Sequence, residues 1–132
     1  MKKILLVDDH APTRLMFSKI LAQQGANYEF LEASNGQEAC ETAHEAKPDL
    51  ILMDALMPVM DGFEAAAVLS DMIKAAQIPS VPILALTANA MAGDRAKCLS
   101  AGCNEYVSKP IKRDVLVALI AAHLPQPVTV ST

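Results

Sequence analysis

The chain of 132 residues has no apolar run that approaches the ~20 residues needed to cross a bilayer, so nothing in it predicts a membrane span. Its first apolar run, Ile4–Val7, is only four residues long and is ended by Asp8 and Asp9. That run is too short for a secretory signal. We therefore expect an intracellular, cytoplasmic protein that makes no contact with membranes.

Cysteines, positive charge and nucleotide-binding motifs are also scarce or absent. The three cysteines are odd in number and lack CxxC or zinc-finger spacing, which argues against a disulfide framework and favours free thiols. A net charge of −4 and a pI near 5.2 argue against direct nucleic-acid binding. Neither a G-x-G-x-x-G sequence nor a P-loop is present, which counts against a nucleotide- or flavin-binding module.

The chain does contain a regular alternation of apolar and amphipathic segments. A hydrophobic content of 52% and a mean hydropathy of +0.26 fit one compact α/β domain. Short apolar runs predict strands at Lys3–Asp8, Tyr28–Ala33, Leu50–Asp54, Pro82–Thr87 and Glu105–Ser108. Helical spacing predicts helices at Pro12–Gln24, Gly36–Lys47, Gly62–Gln77, Met91–Ala101 and Arg113–Leu124. Strict alternation implies right-handed crossovers and a parallel sheet covered by helices on both faces.

The same spacing predicts which side of the first and last helices packs on the sheet. The residues expected to face the sheet are Met16, Phe17, Ile20 and Leu21 in the first helix, and Val115, Leu116, Leu119 and Ile120 in the last. Gly25 and Gly102 are expected to end the first and fourth helices.

Polar side chains gather at the carboxyl ends of the predicted strands. Asp8 and Asp9 follow the first strand's apolar run, Asp54 ends the third strand, and Thr87 and Lys109 lie at the ends of the fourth and fifth. Ligands of open parallel sheets bind at this edge. Because carboxylates at close range repel one another and resist burial, their approach predicts a bound cation.

These residues carry a resemblance to a known family. Asp54 is followed by the run A-L-M-P-V-M-D-G, and the acidic pair Asp8-Asp9, the L-T-A strand end at Thr87 and the Lys109-Pro110 pair match in order and spacing. Together they resemble the CheY-like receiver domain of two-component response regulators. The resemblance implies a receiver domain at 1–124, with 125–132 a disordered tail or the start of a linker. It also implies a single doubly wound, five-stranded parallel sheet of strand order 2-1-3-4-5, the flavodoxin-like (βα)5 fold.

The resemblance assigns roles to the acids. Asp54 is expected to be the phospho-acceptor, since a carboxylate can attack phosphorus and hold the group as an acyl phosphate. Asp9 and Asp54 are expected to coordinate Mg²⁺ together with the backbone carbonyl of Leu56, and Asp8 to act through a metal-bound water. Mg²⁺ prefers oxygen ligands and keeps several waters, which suits two or three carboxylates.

Three further residues are implied by the resemblance. Lys109 is expected to contact a phosphoryl oxygen, with the Lys109–Pro110 bond cis. The Thr87 hydroxyl is expected to bind the phosphoryl group, and Tyr106 to be the switch aromatic that turns inward as Thr87 moves; a surface strand tyrosine is the alternative. Gly62 is expected to adopt unusual dihedrals in the loop, while Met57, Met60 and Phe63 are interpreted as loop anchors that pack on the core.

Two positions are expected to adjust the lifetime of the phosphoryl group. In the family, the side chains two residues after the acceptor and two after the switch threonine flank the path of the hydrolytic water; here they are Leu56 and Asn89. Leu56 cannot orient water by hydrogen bonding, so we hypothesise slow self-dephosphorylation. The small Ala88 leaves the pocket open to a donor.

The resemblance implies a signalling switch rather than a turnover enzyme. A histidine kinase or histidine phosphotransfer protein is expected to donate the phosphoryl group. An unknown downstream protein is expected to bind the fourth helix, fifth strand and fifth helix, around Ala90–Ala101, Tyr106 and Val115–His123. The small outer residues Val117, Ala118 and Ala121 suit such a contact, and the expected state is a monomer or a phosphorylation-dependent dimer.

Two other functions stay open from the residues alone. A Mg²⁺-dependent aspartyl-phosphate phosphohydrolase would share the acidic site, but this chain has adjacent aspartates rather than Asp-x-Asp and lacks a cap insert. A nucleotide or flavin module would meet the acidic loop Asp8–Thr13, which is hostile to phosphate without a metal. The start Met1-Lys2-Lys3 favours a free-standing receiver, whereas Thr87-Ala88-Asn89-Ala90 is common in receivers of hybrid kinases and phosphorelays.

Overall fold

The computed structural model describes residues 2–24, 28–87 and 92–124, the last range with side chains from residue 95 onward. Strands and helices alternate along it as the sequence predicts. They are β1 Lys2–Val7, α1 Ala11–Ala22, β2 Tyr28–Ala33, α2 Gly36–Ala46, β3 Leu50–Asp54, α3 Gly62–Lys74, β4 Ile83–Thr87, α4 Ala92–Ala101, β5 Glu105–Ser108 and α5 Arg113–His123. None of the helices in these ranges is long and apolar enough to cross a membrane.

The strands form one parallel sheet in the order β2-β1-β3-β4-β5, which confirms the predicted fold class and strand order. The register aligns the carboxyl ends of neighbouring strands: Val7 pairs with Met53, Asp54 with Leu86, and Thr87 with Ser108. The residues that follow these pairs therefore emerge at one edge of the sheet.

The core consists of two apolar layers, one on each face of the sheet. Every residue of β3 and β4 is buried, as expected for central strands covered on both sides. One layer packs against α2, α3 and α4 through residues such as Ala43, Leu69 and Cys98. The other packs against α1 and α5 through Leu21 and Ile120. The sheet is thus fixed from both sides, and its carboxyl edge is held in place.

Two of the residues predicted to face the sheet do not. Phe17 and Leu21 of α1, and Leu116 and Ile120 of α5, are buried. Met16 is instead 48% exposed and Val115 44% exposed. In each helix the buried pair is spaced i, i+4, and the preceding residue is rotated about 100° around the axis, which carries it beyond the contact with the sheet. Both predictions were wrong for this reason.

The end of α4 combines a glycine turn with two buried thiols. Gly102 has φ 117° and its N–H donates to the Leu99 carbonyl, while the Cys103 N–H donates to the Cys98 carbonyl. These bonds form a Schellman motif, which confirms that Gly102 ends the helix. Cys98 and Cys103 are buried and Cys40 is half-buried, all as free thiols, and burial raises the pKa of Cys40 to about 11. Gly25 lies outside the described residues.

Candidate functional site

The three predicted acids meet at the carboxyl edge of the sheet. One carboxylate oxygen from each of Asp8, Asp9 and Asp54 lies within 4.8 Å of the others. Asp8 is 3% exposed and Asp54 is 9% exposed, whereas Asp9 faces solvent. Burial of like charges at this separation is costly unless a cation or hydrogen bonds offset it. The cluster could therefore hold a metal ion.

Lys109 supplies positive charge to two of these acids. Its Nζ lies 3.0 Å from Oδ2 of Asp8 and 3.5 Å from Oδ2 of Asp54. The other oxygen of Asp8, Oδ1, accepts a hydrogen bond from the His10 N–H at 2.9 Å. Both carboxylate oxygens of Asp8 are therefore engaged, and the ammonium group links Asp8, which follows β1, to Asp54, which ends β3.

Asp54 is held in an environment that disfavours its charge. Burial raises the pKa of its carboxyl group; the Lys109 ammonium opposes this, and the Asp8 carboxylate raises the pKa further. The Leu56 N–H donates to Oδ1 of Asp54 at 3.3 Å, which favours the ionised form but does not reverse the shift. Asp54 is thus a desolvated carboxylate whose nearest cation is Lys109, and positive charge added here would stabilise its ionised form.

The remaining edge residues come from β4 and the end of β5. Thr87 is 2% exposed and is the last residue of β4. Its carbonyl accepts a hydrogen bond from the Lys109 N–H at 2.6 Å, so the two residues are tied through their backbones. The Lys109–Pro110 peptide bond is cis, which confirms the expectation from the family resemblance. All five predicted edge residues are thus brought together.

The loop after Asp54 exposes two apolar side chains. Leu56 is 59% exposed, and Val59 is 74% exposed with φ 69°, a left-handed conformation that is rare for a β-branched residue. Met57, Met60 and Phe63 are partly buried against the core, which confirms that they anchor the loop.

Gly62 serves close packing rather than unusual dihedrals, so that prediction was wrong. It is the first residue of α3 and does not have a positive φ. A Cβ atom at this position would lie 2.6 Å from the Asp54 carbonyl oxygen and 2.8 Å from the Ala55 Cα. The Gly62 N–H also donates to the Ala55 carbonyl at 2.9 Å. A hydrogen in place of a side chain therefore lets α3 begin directly against the strand end that carries Asp54.

Tyr106 points into the core, so the alternative of a surface tyrosine was wrong. The residue is 4% exposed, and its ring centroid lies 6.3 Å from that of Phe63. Its hydroxyl group is buried and has no hydrogen-bond partner among the described residues. The Phe63 ring in turn lies under the Lys97 ammonium group, with Nζ 4.6 Å from the ring centroid. The aromatic side chain is therefore inward in this structure, and its hydroxyl group finds no partner within the described ranges.

Sequence reasoning missed one polar residue near the acids. Arg14 Nη1 donates to the main-chain carbonyl of Asp8, and Arg14 Nε lies 2.8 Å from Oε1 of Glu32 at the end of β2. The signal was present in the helical spacing, because Arg14 shares a face with Phe17 and Leu21 at i, i+3 and i+7. A charged residue on a buried helical face requires a partner. Asn89 and Ala88, which were also singled out, lie outside the described residues.

The order of the sheet and its acidic carboxyl edge define a class: flavodoxin-like α/β proteins that bind their ligand where the strand order reverses. Comparison of the sequence with known families identifies the family as well. The family model for the response regulator receiver domain matches residues 4–121, so the chain belongs to this family. Receiver domains are signalling switches of two-component and phosphorelay pathways rather than metabolic enzymes, and they pair with histidine kinases or histidine phosphotransfer proteins.

Relatives of two kinds are similar to this chain. Hybrid signal transduction histidine kinase B of Dictyostelium discoideum is 45% identical over an alignment of 132 positions, gaps included, which covers 93% of this chain but only 7% of the kinase. Polar-differentiation response regulator DivK of Brucella anthropi is 34% identical over 123 residues, covering 93% of this chain and 96% of the regulator. The chain therefore spans a small part of the first relative and nearly the whole of the second.

A solved structure is similar in shape and includes a bound partner. It is the co-crystal structure of the Saccharomyces cerevisiae histidine phosphotransfer signaling protein Ypd1 and the receiver domain of its downstream response regulator Ssk1. The match has a TM-score of 0.80 and 33% identity, and covers 91% of this chain and 86% of the matched chain.

Proposed function

We propose that Asp54 accepts a phosphoryl group from a histidine kinase or histidine phosphotransfer protein and that Mg²⁺ is required. The observation that carries this proposal is the acidic cluster with Lys109 Nζ 3.5 Å from Asp54. A carboxylate oxygen of Asp54 forms a bond to phosphorus as the bond from phosphorus to the donor nitrogen breaks. The electron pair of the broken bond stays on the imidazole, and the product is an aspartyl phosphate.

The donor set at the site fits Mg²⁺. Asp8, Asp9 and Asp54 offer carboxylate oxygens, and the backbone carbonyl of Leu56 follows Asp54 by two residues. Such hard oxygen donors suit Mg²⁺, with water completing its coordination. When bound, the ion offsets negative charge on the phosphoryl oxygens during transfer. Asp9 and Asp54 are proposed as direct ligands together with the Leu56 carbonyl. Asp8 is proposed to accept a hydrogen bond from a water bound to the ion.

Lys109 and Thr87 are proposed to bind the new group. Lys109 already lies between Asp8 and Asp54, so its ammonium needs only a small movement to reach an oxygen on phosphorylated Asp54. Thr87 ends the neighbouring strand, and its backbone is bonded to that of Lys109. A shift in the backbone of either residue would therefore also move the other. Tyr106, two residues before Ser108 on the adjacent strand, is proposed to report the change.

The output surface is proposed to consist of α4, β5 and α5. Ala118 and Ala121 are exposed on α5 and Val117 is half-buried, so small apolar side chains are available to a partner. An Arg95 guanidinium nitrogen lies 3.4 Å from the Tyr106 carbonyl and links α4 to the strand of the switch residue. A downstream protein, or a second copy of the phosphorylated chain, is the proposed occupant.

The donor is proposed to dock on the α1 side of the site. Leu15 and Met16 of α1 are exposed by 53% and 48%. Met16 lines two adjoining grooves, of about 400 Å³ towards Arg113 and about 460 Å³ towards Lys109. The second groove reaches the residue that contacts Asp54. The structural neighbour bound to a histidine phosphotransfer protein supports this kind of donor.

The direct test is incubation of the chain with acetyl phosphate and Mg²⁺, followed by intact mass measurement. We expect one added phosphoryl group, which is lost with EDTA present and absent from Asp54→Asn. Asp71→Asn, an exposed carboxylate on α3, is the matched control and should be phosphorylated normally. Phosphorylation that persists in Asp54→Asn, or that never occurs with Mg²⁺ present, would overturn the proposal.

A further inference from the structure

Asp9 differs from the other two acids in how its side chain is held. Asp8 is fixed by the His10 N–H and Lys109, and Asp54 by the Leu56 N–H and Lys109. The Asp9 carboxylate is exposed and has no hydrogen bond or ion pair within the ranges that the structure describes. The direction of this carboxylate therefore depends on the backbone that carries it.

That backbone is held by Arg14. The Asp8 carbonyl belongs to the peptide group that joins Asp8 to Asp9, and Arg14 Nη1 donates to its oxygen. The Asp8 N–H donates to the Ala33 carbonyl at 3.1 Å, so the preceding peptide group is held by β2. Because a peptide group is planar, fixing its carbonyl oxygen also fixes the start of Asp9.

Glu32 in turn fixes the guanidinium group. The Arg14 side chain is only 16% exposed, and Oε1 of Glu32 lies 2.8 Å from its Nε. A guanidinium group presents donors in a rigid planar fork, so one group can bond a carbonyl and a carboxylate at once, which an ammonium on a flexible stem does not reproduce. The Glu32 carboxylate also balances the positive charge that Arg14 brings close to the proposed Mg²⁺ site.

We infer that Arg14, clamped by Glu32, is a positioning residue for the Mg²⁺ site: it orients the Asp8–Asp9 peptide group and through it the Asp9 carboxylate. The inference rests on the proposed function, in which Asp9 is a metal ligand. Residues that orient metal ligands typically contribute a factor of about 10–100 to metal affinity. Arg14 is not itself a ligand or a catalytic residue.

The test measures Mg²⁺ affinity directly, with Mg²⁺ alone titrated into the unphosphorylated chain and amide NMR shifts as the readout. Arg14→Lys and Glu32→Asp keep both charges but change the geometry of the clamp. We expect each to weaken Mg²⁺ binding, by about tenfold or more for Arg14→Lys. At saturating Mg²⁺ the phosphorylation rate with acetyl phosphate should return close to that of the parent, because Asp54, Thr87 and Lys109 are unchanged.

Arg113→Lys is the matched control, since Arg113 also joins two elements through its guanidinium group, at 2.7 Å from Oε1 of Gln23, but away from the acids. Its Mg²⁺ affinity should equal that of the parent. A purely electrostatic role for Arg14 would leave Arg14→Lys unaffected and make Arg14→Gln bind Mg²⁺ more tightly, with a difference that salt screens; that pattern would overturn the inference.

The outcomes separate the inference from the function on which it rests. If the parent chain binds Mg²⁺ and both charge-conserving variants bind it equally well, the clamp has no positioning role and the proposed function stands. If the parent itself does not bind Mg²⁺, the proposed function fails. Glu32 is 58% exposed, so Glu32→Asp is expected to fold even if Arg14→Lys does not, and its Mg²⁺ affinity then decides.

Discussion

Replacing Tyr106 with phenylalanine should stabilise the unphosphorylated domain. The ring is buried and packs near Phe63, while the hydroxyl group has no hydrogen-bond partner among the described residues. In the unfolded chain water satisfies that hydroxyl, so folding leaves it with a desolvation penalty of about 1–3 kcal/mol. Phenylalanine keeps the apolar ring and removes the polar atom. We therefore expect the free energy of unfolding to rise by about 1–3 kcal/mol.

The measurement is urea unfolding followed by circular dichroism, in buffer without Mg²⁺ or a phosphoryl donor. The chain contains no tryptophan, so circular dichroism is the more direct probe. The midpoint should rise with an unchanged slope, since the area exposed on unfolding is nearly the same. In thermal unfolding, a gain of 1 kcal/mol should raise Tm by about 3–5 °C for a domain of this size.

The other tyrosine provides the control, and it also defines the result that would refute the reasoning. Tyr28 lies at the start of β2, half-buried and in edge contact with Phe30, and Tyr28→Phe should bring no comparable gain. An unchanged or lower stability of Tyr106→Phe would mean that its hydroxyl group is satisfied. The buried, unpaired position described above would then not be the resting state of this side chain.

Three further outcomes are expected. Val59→Asn should raise the free energy of unfolding by about 1 kcal/mol, because asparagine tolerates φ 69° better than valine does. Val68→Asn, on the exposed side of α3, should bring no such gain. An equal gain in both variants would exclude backbone strain as the cause. Asp54→Asn should stabilise the Mg²⁺-free chain increasingly as pH rises above 3.8, since a carboxyl group whose pKa is raised in the folded state loses its stabilising contribution as it ionises. Urea midpoints of the variant and the parent at each pH measure this gain. A difference in stability between them that shrinks towards neutral pH would contradict the expectation. Leu56→Asn should shorten the lifetime of the aspartyl phosphate, followed by intact mass after donor removal, because an amide can orient water where leucine cannot; an unchanged decay rate would end that hypothesis.

The elements and the edge of the sheet were predictable because they depend on local patterns. Four- to six-residue apolar runs separated by amphipathic segments predict a parallel α/β sheet, and polar residues that end those runs must emerge at its carboxyl edge. The strand order could not be predicted in this way. It came from the family resemblance, since no local pattern indicates which strands are neighbours. The structure agrees with both, and the register aligns Asp54 with the end of β4.

What the sequence did not predict depends on tertiary contacts. Met16 and Val115 have apolar side chains at helical spacing, yet Phe17 and Leu116 beside them are the ones buried. Gly62 was assigned a conformational role, whereas the approach of α3 to the Asp54 carbonyl is what requires the missing side chain. The role of Arg14 was not foreseen because its partners are Asp8, which follows β1, and Glu32 of β2, and these two strands become adjacent only in the folded sheet.

Charge explains why the parts of the site act together. Three carboxylates and the Lys109 ammonium leave two net negative charges at the edge, which one divalent cation balances. In the proposed function, phosphorylation would replace the single negative charge of Asp54 with a group of roughly −1.5 to −2. That added charge would attract the groups proposed to bind it, first Lys109 and then Thr87, whose carbonyl accepts a hydrogen bond from the Lys109 N–H. Because Thr87 and Ser108 are neighbours in register on β4 and β5, a small movement at the proposed phosphoryl group would be transmitted to the strand that carries Tyr106.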